Sequence, residues 1–159
     1  MNIFFLSFNP RIAAEHHCDK HVVKMILETA QLLYSAHEVL PPGGYKKTHK
    51  NHPCAIWTRE SRDNYVWLCC LGLALCAEYT FRYGKVHKTQ AHIEWLAANV
   101  PALPQVGVTE IRQAMPVEYK RPNPVEAYQA YYRENKFKLR GIVSYSKRDP
   151  PAFLRSASA

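Results

Sequence analysis

Much that would assign a function quickly is missing from this chain of 159 residues. There is no phosphate-binding P-loop, no dinucleotide fingerprint and no Ser nucleophile elbow, and Gly43-Gly44 is not a nucleotide loop. Neither a His-Glu-x-x-His pattern nor a Cys-x-x-Cys pair occurs, so the sequence implies no cofactor and names no metal site. No apolar run approaches the roughly 20 residues of a membrane span. The richest, from Trp67 to Ala77, is bracketed by Asp63, Glu78, Arg82 and Lys85 and reads as a buried core helix. Ile3-Phe4-Phe5-Leu6 is too short for a signal peptide, so the expectation is a cytoplasmic chain without membrane association. Five cysteines, an odd number, fit reduced buried thiols better than a disulfide framework. No alternating run is long enough for a sheet, and internal repeats and low-complexity segments are absent.

Acidic residues are scarce: 13 Asp and Glu stand against 21 Lys and Arg, a formal net charge of +8. The imbalance is local. Residues 1–40 are nearly neutral, whereas Lys46, Lys47, Lys50, Arg59 and Arg62 face only Glu60, and Arg82, Lys85 and Lys88 follow without an acid among them. Basic charge interleaved with Tyr and Trp suits nucleic acid or a phosphorylated ligand. The expected partner is DNA or a nucleotide; no protein partner is implied.

The pattern predicts a mostly α, single compact domain over 1–159, with 141–159 as an extended tail. Two long helices, two or three shorter ones and a short extended N-terminal segment (Asn2 to Ser7) make up the expected architecture. The first long helix is expected from about Arg11 to His37, ended by Pro41-Pro42-Gly43-Gly44. A basic loop leads to Pro53, favoured at a first helical position, and a helical region to Tyr83, breakable near Ser61 and stopped by Gly84. A third helix covers Thr89 to Asn99, and a helical turn is expected around Thr109–Ala114. Asn123-Pro124-Val125-Glu126 starts a last helix to about Lys138.

On one continuous first helix, His17, His21, Lys24, Glu28 and Gln31 share a face. These are groups that move protons, bind phosphate or hold metal. His17 and His21 have metal-ligand spacing, with Asp19, His49, His52 or His87 as further donors. Lys24 and Glu28 form either a plain helix-stabilising pair or, if buried, a carboxylate tuning an amine for Schiff-base chemistry. The lysine-rich loop ending at His52-Pro53 places Lys46, Lys47 and Lys50 at a helix N-terminus that favours an anion, with Arg59 and Glu60 one or two turns in. Tyr79 and Tyr83, beside Arg82, Lys85 and Lys88, are candidates for contacting a base or sugar.

The blocks Cys18-Asp19-Lys20-His21-Val22-Val23-Lys24-Met25, Asn51-His52-Pro53 with Arg59-Glu60-Ser61, Tyr83-Gly84-Lys85 and Ala114-Met115-Pro116 with Glu118-Tyr119 resemble a group of small uncharacterised proteins common in phages. The layout is also similar to pyrimidine-dimer DNA glycosylases of the endonuclease V type. That likeness rests on the short N-terminal segment, the long first helix, the basic loop, Asn51-His52-Pro53 and Arg82-Tyr83-Gly84. It implies a small all-α enzyme that flips a nucleotide and attacks the sugar C1′ with an amine. It further implies an N-terminal amine as nucleophile and a first-helix Glu as catalyst; a gapless register places Lys24 near that Glu, with Glu28 one turn later.

Together these readings predict a DNA glycosylase/lyase-like enzyme of the cytoplasm, that of the host cell for a phage-encoded chain. Lys24 or the N-terminal amine would be the nucleophile and Glu28 the acid/base. His17, His21 and Glu60 would assist. Lys46, Lys47, Lys50, His52, Arg59, Arg62, Lys85 and Lys88 would hold DNA, and Tyr79 or Tyr83 would stack on a base. Two other classes fit the same residues: a metal-dependent nuclease or phosphohydrolase using the histidines and Asp19, and a non-catalytic DNA-binding or host-inhibiting module.

Overall fold

The computed structural model describes residues 1–136 and 143–155. It is mostly helical: α1 (Pro10–His16), α2 (Asp19–Tyr34), α3 (Pro53–Glu60), α4 (Arg62–Tyr83), α5 (Gln90–Ala98) and α6 (Pro124–Tyr131). Among the described residues there is no strand. The two long helices are α2 and α4, and four shorter ones accompany them. Helix α6 runs on into a π-helical turn, Tyr132–Lys136. The turn expected around 109–114 is absent; a 3-10 turn lies instead at Val117–Tyr119. Residues 137–138, the expected end of the last helix, lie outside the described residues.

The helix boundaries follow local chemistry. Asn9 caps α1 by accepting from the N–H groups of Arg11 and Ile12, and Asn123 caps α6 in the same way through Val125 and Glu126. The Ser61 hydroxyl accepts from Asn64 N–H at 3.0 Å, which both breaks the second helical region and starts α4. Gly84, at φ +69°, ends α4 in the left-handed region that glycine alone enters without cost.

The single long helix expected over residues 11–37 is two helices. His17 and Cys18 are extended (ψ 135° and 161°), and Cys18 caps α2 without a side-chain bond. The freed N–H groups at this break find distant partners. Cys18 N–H donates to the Tyr132 hydroxyl at 2.8 Å, and Asp19 N–H to the Ser144 carbonyl at 2.9 Å. Segment 143–155 therefore straps the start of α2.

Helices α2 and α4 pack antiparallel: Asp19 meets Arg82 at one end and His37 meets Tyr65 at the other. Where they cross, Gly72 admits both Thr29 of α2 and Ile93 of α5. A Cβ there would lie 3.0–3.2 Å from their methyl groups. By length and composition alone α4 is apolar enough to cross a membrane, against the expectation from sequence. In the fold its Leu68, Leu71 and Leu75 are buried in the core.

Under α6, the N-terminal segment runs through the interior, with Ile3, Phe4, Phe5 and Leu6 all at most 2% exposed. Phe5 packs against Trp57, Trp67 and Tyr128, and Phe4 against His21 and Tyr132. Among the described residues no sheet pairs with this buried backbone, so a Leu6 N–H to Phe4 carbonyl bond and side chains satisfy part of it. Gln129 donates to the Leu6 carbonyl, and Asn2 Oδ1 accepts from Ile3 N–H and the Tyr128 hydroxyl while its amide donates to Ala114 O. Asn2 thus fixes where the chain's first residue lies.

A buried ionic cluster closes the other end. Arg82 is fully buried, donating to Asp19 (3.1 Å), Glu78 (3.2 Å) and the Glu15 carbonyl (2.9 Å). Arg148 of the strap pairs with Glu78 and Glu15. Burial pushes the Asp19 carboxyl upward, but hydrogen bonds from Ser144, Ser146 and Arg82 outweigh it and hold the group below its ordinary value.

Candidate active site

The fold brings Met1, at the head of the buried segment, against the middle of α2. Its α-amine lies 3.4 Å from Glu28 Oε1, while Lys24 Nζ lies 3.8 Å from Oε2 of the same carboxylate. One carboxylate therefore holds two amines. The two differ in setting: Met1 and Glu28 side chains are 6% and 12% exposed, Lys24 58%. These groups line a cavity of about 230 Å³ together with Asn2, His21, Ala114 and Tyr131.

His52 is not among the residues lining this cavity, but it feels the charges of the ion pair. As the cap of α3, its Nδ1 accepts from Cys54 N–H at 3.0 Å. Burial lowers its pKa first, and the charges of the Met1 amine and His49 lower it further, with Glu28 opposing. His52 is therefore within the field of both members of the ion pair. His49 adopts φ +53°, a strained backbone for a non-glycine residue, in the loop that presents His52.

The stripe anticipated on the first helix divides. His21, Lys24 and Glu28 share the cavity wall. His17, displaced by the break before α2, is fully buried beside Phe4 and Tyr132. Its Nδ1 donates to the Ala13 carbonyl at 2.6 Å, and its Nε2 has no hydrogen-bond partner among the described residues. His17 and Asp19, both committed elsewhere, do not converge with His21. Among the described residues no group of three or more His, Cys, Asp and Glu is placed to hold a metal.

Burial pushes the His17 imidazole down to about 4 from an ordinary 6.5, with the Arg82 charge working in the same direction and the Ala13 hydrogen bond against. The unfolded chain binds this proton first as pH falls. His17 thus leaves stability intact above pH 6.5 and removes about 3 kcal/mol as pH falls towards 4. Denaturant unfolding across that range should show this slope, and His17→Phe should flatten it; an unchanged slope in the variant would assign the effect to other groups.

Glu60 lies apart from Glu28. Its carboxylate accepts from the Thr109 hydroxyl at 2.7 Å and pairs with Arg112, at the edge of a different cavity of about 770 Å³. It faces the connector after α5, not α2, because buried Asn64 grips Thr109 and draws that connector over α3. Glu60 works as a staple.

The basic residues are distributed around α2. Tyr45 opens their loop by bonding Thr89, next to exposed Lys88. His52 closes it beside the Met1 amine. Between them Lys46, Lys47 and Lys50 are exposed; Lys47 reaches the Glu38 carbonyl, and Arg59 holds the Lys50 carbonyl at 2.6 Å. Across α2, His87 bonds the Val23 carbonyl and supports Tyr79, which packs on Tyr83 at 5.1 Å. Tyr83 and Lys85 are exposed there, while Tyr79 is half-buried. Arg62 is exposed but sits at the other end of α4 from Tyr83, some 33 Å along a helix of that length, with its N–H on Pro104.

Sequence reasoning did not single out Asn2 or Tyr132. Asn2 shows no local signal for its role, since the partners that anchor it to the rest of the fold, Ala114 and Tyr128, lie 112 and 126 residues away. Tyr132 gives no signal either, since its partner Cys18 N–H lies 114 residues away. Compared with protein-family models, curated proteins and solved structures, the chain matches none.

Proposed function

We propose that this protein is a DNA lyase and glycosylase that uses the α-amine of Met1 as nucleophile and Glu28 as acid/base. The observation that carries the reading is the amine–carboxylate pair at 3.4 Å in a polar cavity beside a basic loop. Of the two amines, the α-amine is the better nucleophile. As a class, α-amines give up their proton roughly two to three pH units below lysine ammoniums. The Met1 amine also lies inside the cavity, whereas Lys24 stands at its rim. The resemblance to amine-dependent pyrimidine-dimer glycosylases points the same way.

In the lyase reaction the neutral amine adds to C1′ of an abasic deoxyribose, water leaves, and an iminium forms. Glu28 takes the C2′ proton, and the 3′ C–O bond breaks with departure of the phosphate. Hydrolysis of the iminium returns the amine. With a damaged base still attached, the same attack expels the base. Lys46, Lys47, Lys50, Lys85 and Lys88 take the phosphates on either side of α2, whose 16 residues extend about 24 Å, some seven base steps. Tyr83 offers a stacking surface.

Borohydride reduction of a mixture with abasic duplex DNA tests this reading. A covalent adduct should form, map to residue 1, survive Lys24→Gln and vanish when the α-amine is acetylated. Absence of an adduct with abasic, damaged and modified duplexes overturns it; retained DNA binding in that case identifies a non-catalytic binding module. Electrostatic contact has its own signature. Replacing Lys46, Lys50 and Lys88 together by Ala should lower the slope of log affinity against log salt by about 3. A slope equal to wild type places the DNA on another face.

A further inference from the structure

Helix α4 turns an uncharged face to solvent. Its exposed positions between Asp63 and Tyr83 are Cys70, Leu73, Ala77, Thr80 and Phe81. The charged residues of that stretch, Glu78 and Arg82, are both buried. Helical periodicity sets Asp63 and the five exposed positions on one strip, about 27 Å long from Asp63 to Phe81. The solvent face of a surface helix ordinarily carries charge, and an apolar strip in its place marks a contact surface. Helix α1 widens the strip along one side. Ile12 and the preceding Phe8 are 37% and 57% exposed, and Trp67 donates to the Phe8 carbonyl. Between the two helices runs a groove of about 590 Å³ whose walls include Arg11, Glu15, Leu73, Ala77 and Phe81.

The ends of the strip differ in charge. Asp63 stands at one. At the other, Lys147 and Arg148 lie over the Phe81 ring, 5.8 Å and 4.4 Å from its centroid. Among the described residues neither Asp63 nor Lys147 has an ion-pair partner.

We propose that this strip docks a second copy of the chain, α4 against α4, antiparallel about a two-fold axis at the level of Gly72. A two-fold makes every contact twice. It sets Asp63 of one copy against Phe81 and Lys147 of the other, and Phe8, beside Trp67, over the other copy's groove at Ala77. A parallel pairing would set Lys147 against Lys147 and leave both acids unanswered. A lipid surface is the poorer match, since a helix lying in a membrane carries cations along its polar face, not an acid at one end. Gly72, where Thr29 of α2 meets α4, is on the opposite side of the helix from the strip, so both Met1–Glu28 cavities stay clear of the junction. Neither the strip nor its pairing depends on the chemistry proposed above. Two short helix faces side by side give each copy roughly 500 Å², short of the ~800 Å² of a standard interface, so the dimer is a weak one in the micromolar range.

Sedimentation velocity of the full chain from about 5 to 500 µM tests the pairing. The weight-average mass should rise from monomer towards dimer across that range. Leu73→Glu, at an exposed position, should weaken association more than about tenfold and leave the thermal midpoint within about 2 °C of wild type. Asp63→Lys and Lys147→Glu should each weaken it about 3–10-fold, and the two together should return it to within about twofold of wild type. Within one copy these residues stand at opposite ends of the strip, so rescue comes only from pairing between antiparallel copies. A monomer at every concentration overturns the proposal, as does a dimer that Leu73→Glu leaves intact or a double charge swap without rescue. A monomer that binds phosphatidylcholine–phosphatidylserine vesicles, and loses them in Leu73→Glu, gives the face to a membrane instead.

Discussion

Glu28→Gln should lower the rate of borohydride-trappable adduct formation by about 10²–10⁴-fold, the range that a positioned acid/base contributes. Affinity for the same duplex should be retained. The amide is nearly the same shape as the carboxylate and still offers an oxygen to the Met1 amine, so the first residue keeps its place. What the amide lacks is the ability to accept a proton, first from the ammonium and then from C2′. Loss of rate without loss of binding is the result required of a group acting in the reaction and not in docking. Trapping at the wild-type rate would reduce Glu28 to an anchor for the N-terminus. A matching loss in Lys24→Gln would transfer the nucleophile's role to Lys24.

Arg82→Met should destabilise the fold by about 3–5 kcal/mol, the cost of leaving buried carboxylates without their cation. For a chain of this length that lowers the thermal midpoint by about 10 °C. Arg82 joins α1 through the Glu15 carbonyl, α2 through Asp19 and its own helix through Glu78. Arg148 partly neutralises Glu78 in its absence, but among the described residues Asp19 keeps only Ser144 and Ser146 as side-chain partners and donors. Arg82→Lys should recover only part of the loss, because one ammonium cannot reproduce the three-way fork of the guanidinium. Thermal unfolding of both variants at neutral pH measures this. A midpoint within about 2 °C of wild type in Arg82→Met would mean that the cluster is solvated in solution.

Helix ends in this chain are readable because their causes are local: Asn9-Pro10, Pro53, Ser61, Gly84 and Asn123-Pro124 each act within a turn. The interruption at His17-Cys18 is invisible for the opposite reason. No Pro or Gly marks it, and the groups that stabilise it, Tyr132 and Ser144, lie 114 and 125 residues further along. The site divides along the same line. His21, Lys24 and Glu28 are one and two turns apart on a real helix, so periodicity finds them. The position of the Met1 amine depends on Asn2 reaching Ala114 and Tyr128. Glu60 could be grouped with Glu28 in sequence because nothing local announces that Thr109 and Arg112 will claim it.

The bond from Tyr128 to Asn2 joins residues 126 apart. Closing so long a loop costs entropy that no local contact repays in advance, so this junction belongs to the late part of folding. The cavity wall and the amine it encloses are therefore assembled together at the end. A nascent or partly unfolded chain exposes its first residue as an ordinary free terminus, remote from Glu28. The Met1–Glu28 contact is thereby tied to completion of the tertiary structure, and hydrogen exchange at Ile3 and at the start of α6 should report opening of this ion pair as a single event.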